Sequence, residues 1–304
     1  MNDRGSSCMF SRLKRSNALS ALIGKAIVPI VFPVVRFVKD QVFLSHLNKD
    51  GLMPSAFGWA VVFVARAWGY CRRIFRHEFD DYALHRYALY VRRHYGKGGR
   101  GYFSYANLQA SEKAQLFGRS GGRIAPFIEH YQDLLKYADD DSYFDAGCGR
   151  GQNVKVLMER FPTSSIHGMD LSGDAADIVT LAVSDPRVTA RPGDLTNIAT
   201  LKAIGDDAYD HVILSHVLSI ILGAGLDATR QTRGMIISEL ARIARKSLLI
   251  IDSPAIIADR ERFEIEQLDR GAYHESILKY FDTLGGRTVI LTSAESVAVL
   301  YQPS

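Results

Sequence analysis

The second half of the chain alternates between two sequence patterns, one typical of strands and one typical of helices. From residue 142 onward, short apolar runs are separated by stretches in which apolar residues recur at helical spacing. This alternation is typical of a parallel sheet with helices on both faces. The predicted strands are Ser142–Ala146, Ser165–Met169, Arg187–Ala190, His211–Ser215 and Ser247–Asp252. The helices predicted between them are Asn153–Arg160, Gly173–Val183, Asn197–Ile204 and Arg233–Arg245.

The end of the chain departs from this alternation. The strand-like runs Arg287–Thr292 and Ser296–Tyr301 are separated by a turn that is too short for a helical crossover, which predicts an antiparallel hairpin. A helix with one apolar face is predicted ahead of the first strand, over Arg123–Tyr137. The predicted fold is therefore α/β, with a doubly wound, mostly parallel, seven-stranded Rossmann-like sheet.

The first hundred residues have a different pattern. A polar, basic tail precedes a region that is predicted to be mostly helical, and the glycines near Lys97–Gly101 predict a boundary. We therefore expect a helical N-terminal extension over residues 1–100 and a second domain over residues 101–304. The apolar runs Ala26–Val35 and Leu52–Ala65 are shorter than the ~20 residues that a membrane span requires. They are predicted to pack as helices or to lie at a membrane surface.

Charge is distributed unevenly between these two parts. The 304 residues have a net charge of +4, but residues 1–100 contain 17 Lys and Arg against 6 Asp and Glu. The extension therefore has a net charge of +11 and the remainder −7. Excess positive charge attracts polyanions, so an anionic membrane surface, RNA and the chain's own acidic domain remain alternative partners. The oligomeric state is left open.

The cysteines indicate the compartment. The chain has three cysteines, Cys8, Cys71 and Cys148. Their odd number does not suit a disulfide framework, and their spacing is not the CxxC of a zinc site. This usage favours a reducing compartment and predicts no metal. We expect a cytoplasmic protein, with membrane association left open by the N-terminal pattern.

The stretch from Asp145 to Gly151, with the sequence DAGCGRG, lies between a predicted strand and a predicted helix. A strand, a glycine-rich loop and a helix in this order form a nucleotide site at the carboxyl edge of a parallel sheet. The Gly-x-Gly-x-Gly spacing differs from the Gly-x-Gly-x-x-Gly of dinucleotide sites, in which a helix N-terminus faces a pyrophosphate. An acid ahead of the first glycine suits a cationic ligand such as S-adenosylmethionine, which has an ammonium, a sulfonium and no phosphate.

Two further carboxylates follow the next two predicted strands. Asp170 can accept hydrogen bonds from both hydroxyls of a ribose, as acids at this position do in nucleotide sites. Asp194 can accept from an adenine amino group, with Leu171 and Leu195 beside the ring. Because parallel strands end at one edge of the sheet, we expect the three carboxylates to lie on that edge.

These residues resemble the class I S-adenosylmethionine-dependent methyltransferase family over about residues 123–301. The resemblance implies a seven-stranded sheet whose last strand is antiparallel. It also implies that Gly147, Gly149 and Gly151 frame the methionine moiety, that Asp170 binds ribose and that Asp194 binds adenine. The predicted cofactor-binding residues are Asp145, Ala146, Gly147, Cys148, Gly149, Gly151, Asp170, Leu171, Asp194, Leu195 and Ser215.

The fourth predicted strand is followed by His216, which is the predicted general base. Neither the Asp/Asn-Pro-Pro-Tyr/Phe motif of adenine amino methyltransferases nor the Pro-Cys pair of cytosine-C5 enzymes occurs here. Nucleic-acid methylation by these two chemistries is therefore disfavoured. We expect methyl transfer to an oxygen of a small-molecule, sugar or lipid-linked acceptor. The alternatives are an RNA methyltransferase that uses the basic extension and a non-catalytic binding protein with the same fold.

Overall fold

A computed structural model of the chain describes residues 105, 108–119, 121–252, 276–293 and 296–304, together with Ala26 and Ile30. The chain divides into two compact units, residues 1–87 with 265–273 and residues 88–264 with 274–304. In the first unit, Ala26 and Ile30 are helical and exposed. The rest of the predicted extension and the predicted boundary at residue 100 lie outside the described residues, and both stay predictions.

Strands of the second unit form one sheet. Within its described residues the order across the sheet is β3-β2-β1-β4-β5-β7-β6. The first five strands run parallel, and β7 is antiparallel to both β5 and β6. The strands are β1 (Ser142–Ala146), β2 (Ser165–Asp170), β3 (Val188–Pro192), β4 (Tyr209–Ser215), β5 (Ala244–Asp252), β6 (Arg287–Thr292) and β7 (Val297–Gln302).

Helices connect the parallel strands. In the described part of the second unit they are α1 (Ala110–Ala114), α2 (Ala125–Leu135), α3 (Gln152–Arg160), α4 (Gly173–Ala182), α5 (Ile198–Lys202) and α6 (Leu226–Ile243). Two single 3₁₀ turns lie at Leu218–Ile220 and Leu278–Tyr280. No helix among the described residues combines the length and apolar character that a membrane crossing requires.

The central strands are apolar on both faces because helices cover both sides of the sheet. Successive residues of a strand point to opposite faces, so Tyr143 and Phe144 belong to different clusters of buried side chains. In β4, Val212 packs in the cluster that contains Phe144, and Ile213 packs in the cluster that contains Tyr143. The continuous apolar runs in the sequence therefore reflect two cores, one on each face.

The order in which the chain adds strands to the sheet changes direction between β1 and β4. The chain moves outward from β1 through β2 to β3 and then returns to the other side of β1 with β4. At such a point the loops that follow the two central strands diverge, which leaves a crevice at the carboxyl edge of the sheet. The glycine loop follows β1, and His216 follows β4, so both border this crevice.

The predicted fold class is confirmed, and so are the five parallel strands and the hairpin, most of them to within two residues at each end. The prediction for Arg233–Arg245 is wrong at both ends. The helix α6 begins at Leu226 and ends at Ile243, and Arg245 belongs to β5. The strand starts early because Ala244 pairs with Tyr209 of β4, and this tertiary contact outweighs the helical pattern.

A segment ahead of α2 packs against the glycine loop and α4. Lys113 Nζ lies 2.8 Å from Asp174 Oδ1, and the amide of Gly118 donates to the carbonyl of Arg150 at 3.0 Å. Phe117 lies so close to Gly151 that a Cβ there would be 2.5 Å from its ring. Lys113, Phe117 and Gly118 thus pack against the glycine loop and α4, although the family resemblance begins only at residue 123.

Candidate cofactor and active site

The glycine loop after β1 depends on left-handed backbone. The φ angles of Gly147, Gly149 and Gly151 are 85°, 52° and 75°, a region that side chains with a Cβ rarely adopt. A Cβ at Gly147 would overlap Val217, the residue after His216, so the loops after β1 and β4 touch. At Gly149 the nearest atom to an added Cβ is Gln152 Oε1 at 3.4 Å, so this glycine leaves space in which a ligand can approach the backbone.

Asp145 lies beneath this loop and is completely buried. Its Oδ1 is 3.5 Å from Asn153 Nδ2, and its Oδ2 has no hydrogen-bond partner among the described residues. Burial raises the pKa of the carboxyl group to about 7, against a smaller lowering by Asn153. An orphaned acid oxygen at the carboxyl edge of a sheet fits a nearby positive charge, because a cation would compensate the cost of burying the ionised group.

Asp170 ends β2 and connects two loops. Its Oδ2 accepts from the amide of Gly149 and its Oδ1 from the amide of Ser172, each at 2.9 Å. Burial raises the pKa of this carboxyl group, while the two amides act against that shift. Each carboxylate oxygen has a second lone pair, so the half-buried Asp170 can still accept from the hydroxyls of a ribose.

Asp194 lies two residues beyond β3 on the same edge. Its Oδ1 accepts from the amide of Thr196 at 2.8 Å and from the hydroxyl of the same residue at 2.7 Å. This local turn fixes the carboxylate at the start of the β3–α5 loop. The three acids therefore lie at or near the ends of three adjacent strands along one edge of the sheet, as the sequence predicted.

The remaining predicted cofactor residues differ in what they can present to a ligand. Leu171 is 42% exposed, whereas Leu195 is buried and packs with the core. Cys148 is also buried, with Sγ against Gly168, and burial raises the pKa of its thiol. Cys148 therefore borders the crevice through its backbone alone. Ala146 and Ser215 end β1 and β4 next to the two loops.

His216 is the first residue after β4, where left-handed backbone with a φ of 55° turns the chain out of the strand. Its side chain is 39% exposed, and Nδ1 lies 4.0 Å from Asp252 Oδ1 at the end of β5. Burial lowers the pKa of the imidazole, Asp252 opposes this effect and Arg123 adds to it. The imidazole is therefore mostly neutral at pH 7, the form that can accept a proton.

Sequence reasoning missed several residues that shape the site. Asn153 connects Asp145 to the amide of Ile124, which donates to Asn153 Oδ1 at 3.2 Å. Asp252 was predicted only as a strand end, although its buried carboxylate faces His216. A polar residue at the start of a helix and an acid at the end of an apolar strand were the available signals. Only the order of the strands in the sheet shows that Asp252 lies beside His216.

A search for metal ligands among the described residues finds no group of three or more His, Cys, Asp and Glu side chains that could hold an ion. A family model described as a methyltransferase domain matches residues 144–248. Over these residues the chain is similar to a methyltransferase domain, in agreement with its resemblance to the class I S-adenosylmethionine-dependent methyltransferases. The match extends from the second half of β1 into β5, so it contains the glycine loop, all three carboxylates and His216.

The methyltransferase domain also has structural neighbours. One is a putative S-adenosylmethionine-dependent methyltransferase from Methanococcus maripaludis, with 16% identity, a TM-score of 0.44, and coverage of 64% of this chain and 92% of that chain. Another is a methyltransferase from Aquifex aeolicus, with 15% identity, a TM-score of 0.44, and coverage of 65% and 100%. A third is geranyl diphosphate C-methyltransferase from Streptomyces coelicolor, with 17% identity, a TM-score of 0.42, and coverage of 59% and 79%. A search of curated protein sequences finds no significant match.

The predicted cofactor is S-adenosylmethionine. The residues of the crevice fit a molecule of its charge and shape. The orphaned oxygen of Asp145 suits an ammonium, Asp170 keeps acceptor capacity for a ribose, and the space at Gly149 allows close contact with the backbone. The contacts of individual residues with the cofactor stay predictions.

Proposed function

We propose that this methyltransferase transfers the methyl group to an oxygen atom of a small-molecule, sugar or lipid-linked acceptor, with His216 as the general base. The observation that carries the proposal is the position of His216. Its imidazole is partly exposed, and the next residue, Val217, packs against Gly147 of the cofactor loop. A neutral base therefore stands beside the loop that is predicted to frame the methionine moiety.

The chain's residues have two tasks in this reaction. When bound, the cofactor supplies an electrophilic methyl group on a sulfonium. Asp145 and Asp170 bind and orient it, which contributes most of the catalysis because methyl transfer depends chiefly on alignment. His216 accepts the hydroxyl proton of the acceptor as the oxygen bonds to the methyl carbon and the bond from that carbon to sulfur breaks, so no alkoxide has to form in advance. The electron pair of the broken bond stays on the sulfur, which would leave as a neutral thioether.

The cofactor assignment is tested by titration calorimetry with S-adenosylmethionine. Replacement of Asp170 by Ala removes charged acceptors, each of which contributes about 1.5–3 kcal/mol, so we expect at least a ~10-fold weaker affinity. Asp227→Ala is the matched control, because Asp227 lies at the start of α6 with 84% of its side chain exposed. Absence of binding by the wild-type protein, or undiminished binding by Asp170→Ala, would contradict the assignment.

The acceptor is identified by incubation of the protein with cell extract and labelled S-adenosylmethionine, followed by mass spectrometry of the methylated product. We expect an O-methylated product, and we expect His216→Gln to lower kcat by about 100-fold with unchanged affinity for the cofactor. Methylation on nitrogen or carbon, or a His216→Gln variant as active as the wild type, argues against the proposal. Cofactor binding without turnover on any acceptor favours the non-catalytic alternative.

RNA is the second candidate acceptor, and the net charge of +11 in residues 1–100 supports it. Phosphate contacts make RNA binding strongly dependent on salt. RNA methylation by the full chain, with binding that weakens steeply between low and physiological salt, would favour RNA over a small molecule. Flotation of the protein with anionic liposomes would instead favour a lipid-linked acceptor.

A further inference from the structure

A histidine and a buried acid come together at the carboxyl ends of β4 and β5. The two strands are parallel neighbours in which Ser215 pairs with Ile251, so the residues that follow, His216 and Asp252, lie side by side. The amide of His216 donates to the carbonyl of Ile251 at 2.8 Å, which fixes the backbone of the histidine against β5. Nδ1 then lies 4.0 Å from Asp252 Oδ1.

The backbone at His216 is held in an uncommon conformation. A φ of 55° is left-handed, a region that non-glycine residues adopt mainly where the surroundings enforce it. Here the hydrogen bond to Ile251 and the 3₁₀ turn Leu218–Ile220 enclose the histidine on both sides. The backbone conformation of His216 therefore fixes the direction in which its imidazole points away from β4.

Asp252 is only 1% exposed, in contrast to the 39% of the His216 side chain. Its Oδ2 accepts from the amide of Ser219 at 3.3 Å, and its Oδ1 is the oxygen that faces the imidazole. One oxygen of the Asp252 carboxylate thus accepts from the turn, and the other faces the histidine. A separation of 4.0 Å exceeds a hydrogen bond, but catalytic hydrogen bonds are often long before substrate binds.

Two charged groups act on the imidazole. Asp252 approaches from β5, and the Arg123 guanidinium approaches from the residues ahead of α2. The acid favours a proton on the ring, and the arginine disfavours a net positive charge there. Together they favour a neutral ring whose Nδ1 carries its proton toward Asp252, and Nε2 then keeps its lone pair.

We propose that Asp252 is a positioning residue that holds His216 as the Nδ1–H tautomer, with the lone pair of Nε2 available for the hydroxyl proton of the acceptor. The proposal rests on the proposed function, in which His216 is the base. Asp252 touches neither the acceptor nor the cofactor in this assignment, and it acts through the orientation and proton distribution of the imidazole.

Nitrogen-15 NMR of the histidine side chains in the full chain, with S-adenosylhomocysteine present, tests the proposal without an acceptor. The signals of His216 are assigned by their loss in His216→Gln. At pH 8 we expect the wild type to show mainly the Nδ1–H tautomer. A wild-type imidazole that is mainly Nε2–H overturns the proposal without any Asp252 variant.

Asp252→Asn provides the comparison. An amide has an NH2 group in place of one carboxylate oxygen, so it cannot present an acceptor at both the Ser219 and the His216 positions, and it lacks the negative charge. We expect this variant to lose the preference for Nδ1–H and to lower the pKa of His216 by about one unit. Unchanged tautomer populations and an unchanged titration would show that Asp252 only holds the turn.

The matched control is Asp210→Asn, at the opposite end of β4 from His216 and about 20 Å away at the rise of a strand. Asp210 pairs with Lys246 there, so its replacement is expected to lower stability and to leave the His216 signals unchanged. An equal change in both Asn variants would indicate a general loss of structure and contradict a specific role for Asp252.

Kinetics separate the failure of this proposal from the failure of the proposed function. With an O-acceptor in hand, Asp252→Asn should lower kcat about 10-fold or more, keep the KM for S-adenosylmethionine, and move the acid limb of the kcat profile to lower pH. If the NMR result is as expected but no O-methylation occurs, the positioning stands and the proposed reaction fails. If O-methylation occurs and the profile does not move, the positioning role fails.

Discussion

Individual acids at the crevice differ in burial, and this difference separates their roles. Asp145 is completely buried with an orphaned oxygen, Asp170 is held by two amides, and Asp194 lies in a surface turn. Burial raises the pKa of Asp145 to about 7, so its charge state changes close to neutral pH. Asp145 can therefore make cofactor affinity depend on pH in the physiological range.

Cofactor affinity should follow the ionisation of Asp145. A cationic ligand binds better when Asp145 is ionised, so S-adenosylmethionine affinity should be higher above the pKa and fall as the pH decreases through 7. If only the ionised form binds, the apparent association constant rises about fivefold from pH 6 to pH 7. Calorimetry between pH 6 and pH 7 stays below the pKa of the α-amino group of S-adenosylmethionine, because α-amino groups have a pKa of about 8.

The control for this prediction is Asp145→Asn, which removes the titrating group and retains the shape of the side chain. We expect weaker binding without the increase between pH 6 and pH 7. A variant that keeps the wild-type slope would assign the pH dependence to another group, such as Asp170, whose pKa is also raised.

Neighbouring elements pack closely against the glycine loop at positions that lack a Cβ. Gly151 precedes α3, and its missing Cβ accommodates Phe117 from the segment ahead of α2 and Val179 from α4. Gly147 likewise accommodates Val217 after β4. The glycines thus serve the packing of neighbouring elements as well as the approach of a ligand, and the two purposes share the same positions.

Gly151→Ala tests this packing. A Cβ at this position would lie 2.5 Å from the ring of Phe117, on backbone with a φ of 75°. Left-handed backbone costs about 1–2 kcal/mol and overpacking about 1–3 kcal/mol, so we expect the free energy of unfolding to fall by about 2–5 kcal/mol. Chemical denaturation measures this change.

Gly173→Ala is the matched control, because an added Cβ meets nothing within 4 Å at the first position of α4. Alanine is favoured over glycine in helices, so this variant should be as stable as the wild type or slightly more stable. Equal destabilisation by both substitutions would argue against the packing role of Gly151.

A second cluster of polar and charged side chains lies at the edge of the sheet opposite the crevice. His211 is completely buried in β4, where Nδ1 lies 2.8 Å from Ser247 Oγ and Nε2 lies 3.0 Å from Asp141 Oδ2. Lys246 pairs with Asp141 and with Asp210. This network connects β4 and β5 to the residue ahead of β1, so it stabilises the three central strands far from the crevice.

The network predicts a loss of stability in acid. Burial lowers the pKa of His211 below its ordinary value of 6.5, and Asp141 opposes the shift. Because the unfolded chain binds the proton first, the stabilisation is present above about pH 6.5 and decreases as the pH falls below it. We expect the free energy of unfolding to decrease from pH 7 to pH 5, and His211→Asn to reduce this dependence.

His130→Gln is the control for this measurement, because His130 is exposed on α2. It should retain the pH dependence of the wild type, whereas His211→Asn should also lower stability at pH 7 by about 1–3 kcal/mol through its lost hydrogen bonds. An unchanged dependence in His211→Asn would assign the acid sensitivity to other groups.

The sequence by itself determined the element order, the parallel character of the sheet, the closing hairpin and the edge that holds the three acids. These properties follow from local patterns, since a strand, a glycine loop and a helix are each encoded by consecutive residues. Asp145, Asp170 and Asp194 could be placed on one edge because parallel strands all end on the same side.

Only the tertiary structure decided which residues meet across the sheet. Asp252 and His216 are 36 positions apart in sequence and become neighbours because β5 lies beside β4. Phe117 reaches Gly151 through a segment with no strong pattern, and Cys148 turns its side chain into the core. Such contacts depend on strand order and packing, which a local pattern of apolar and polar residues does not encode.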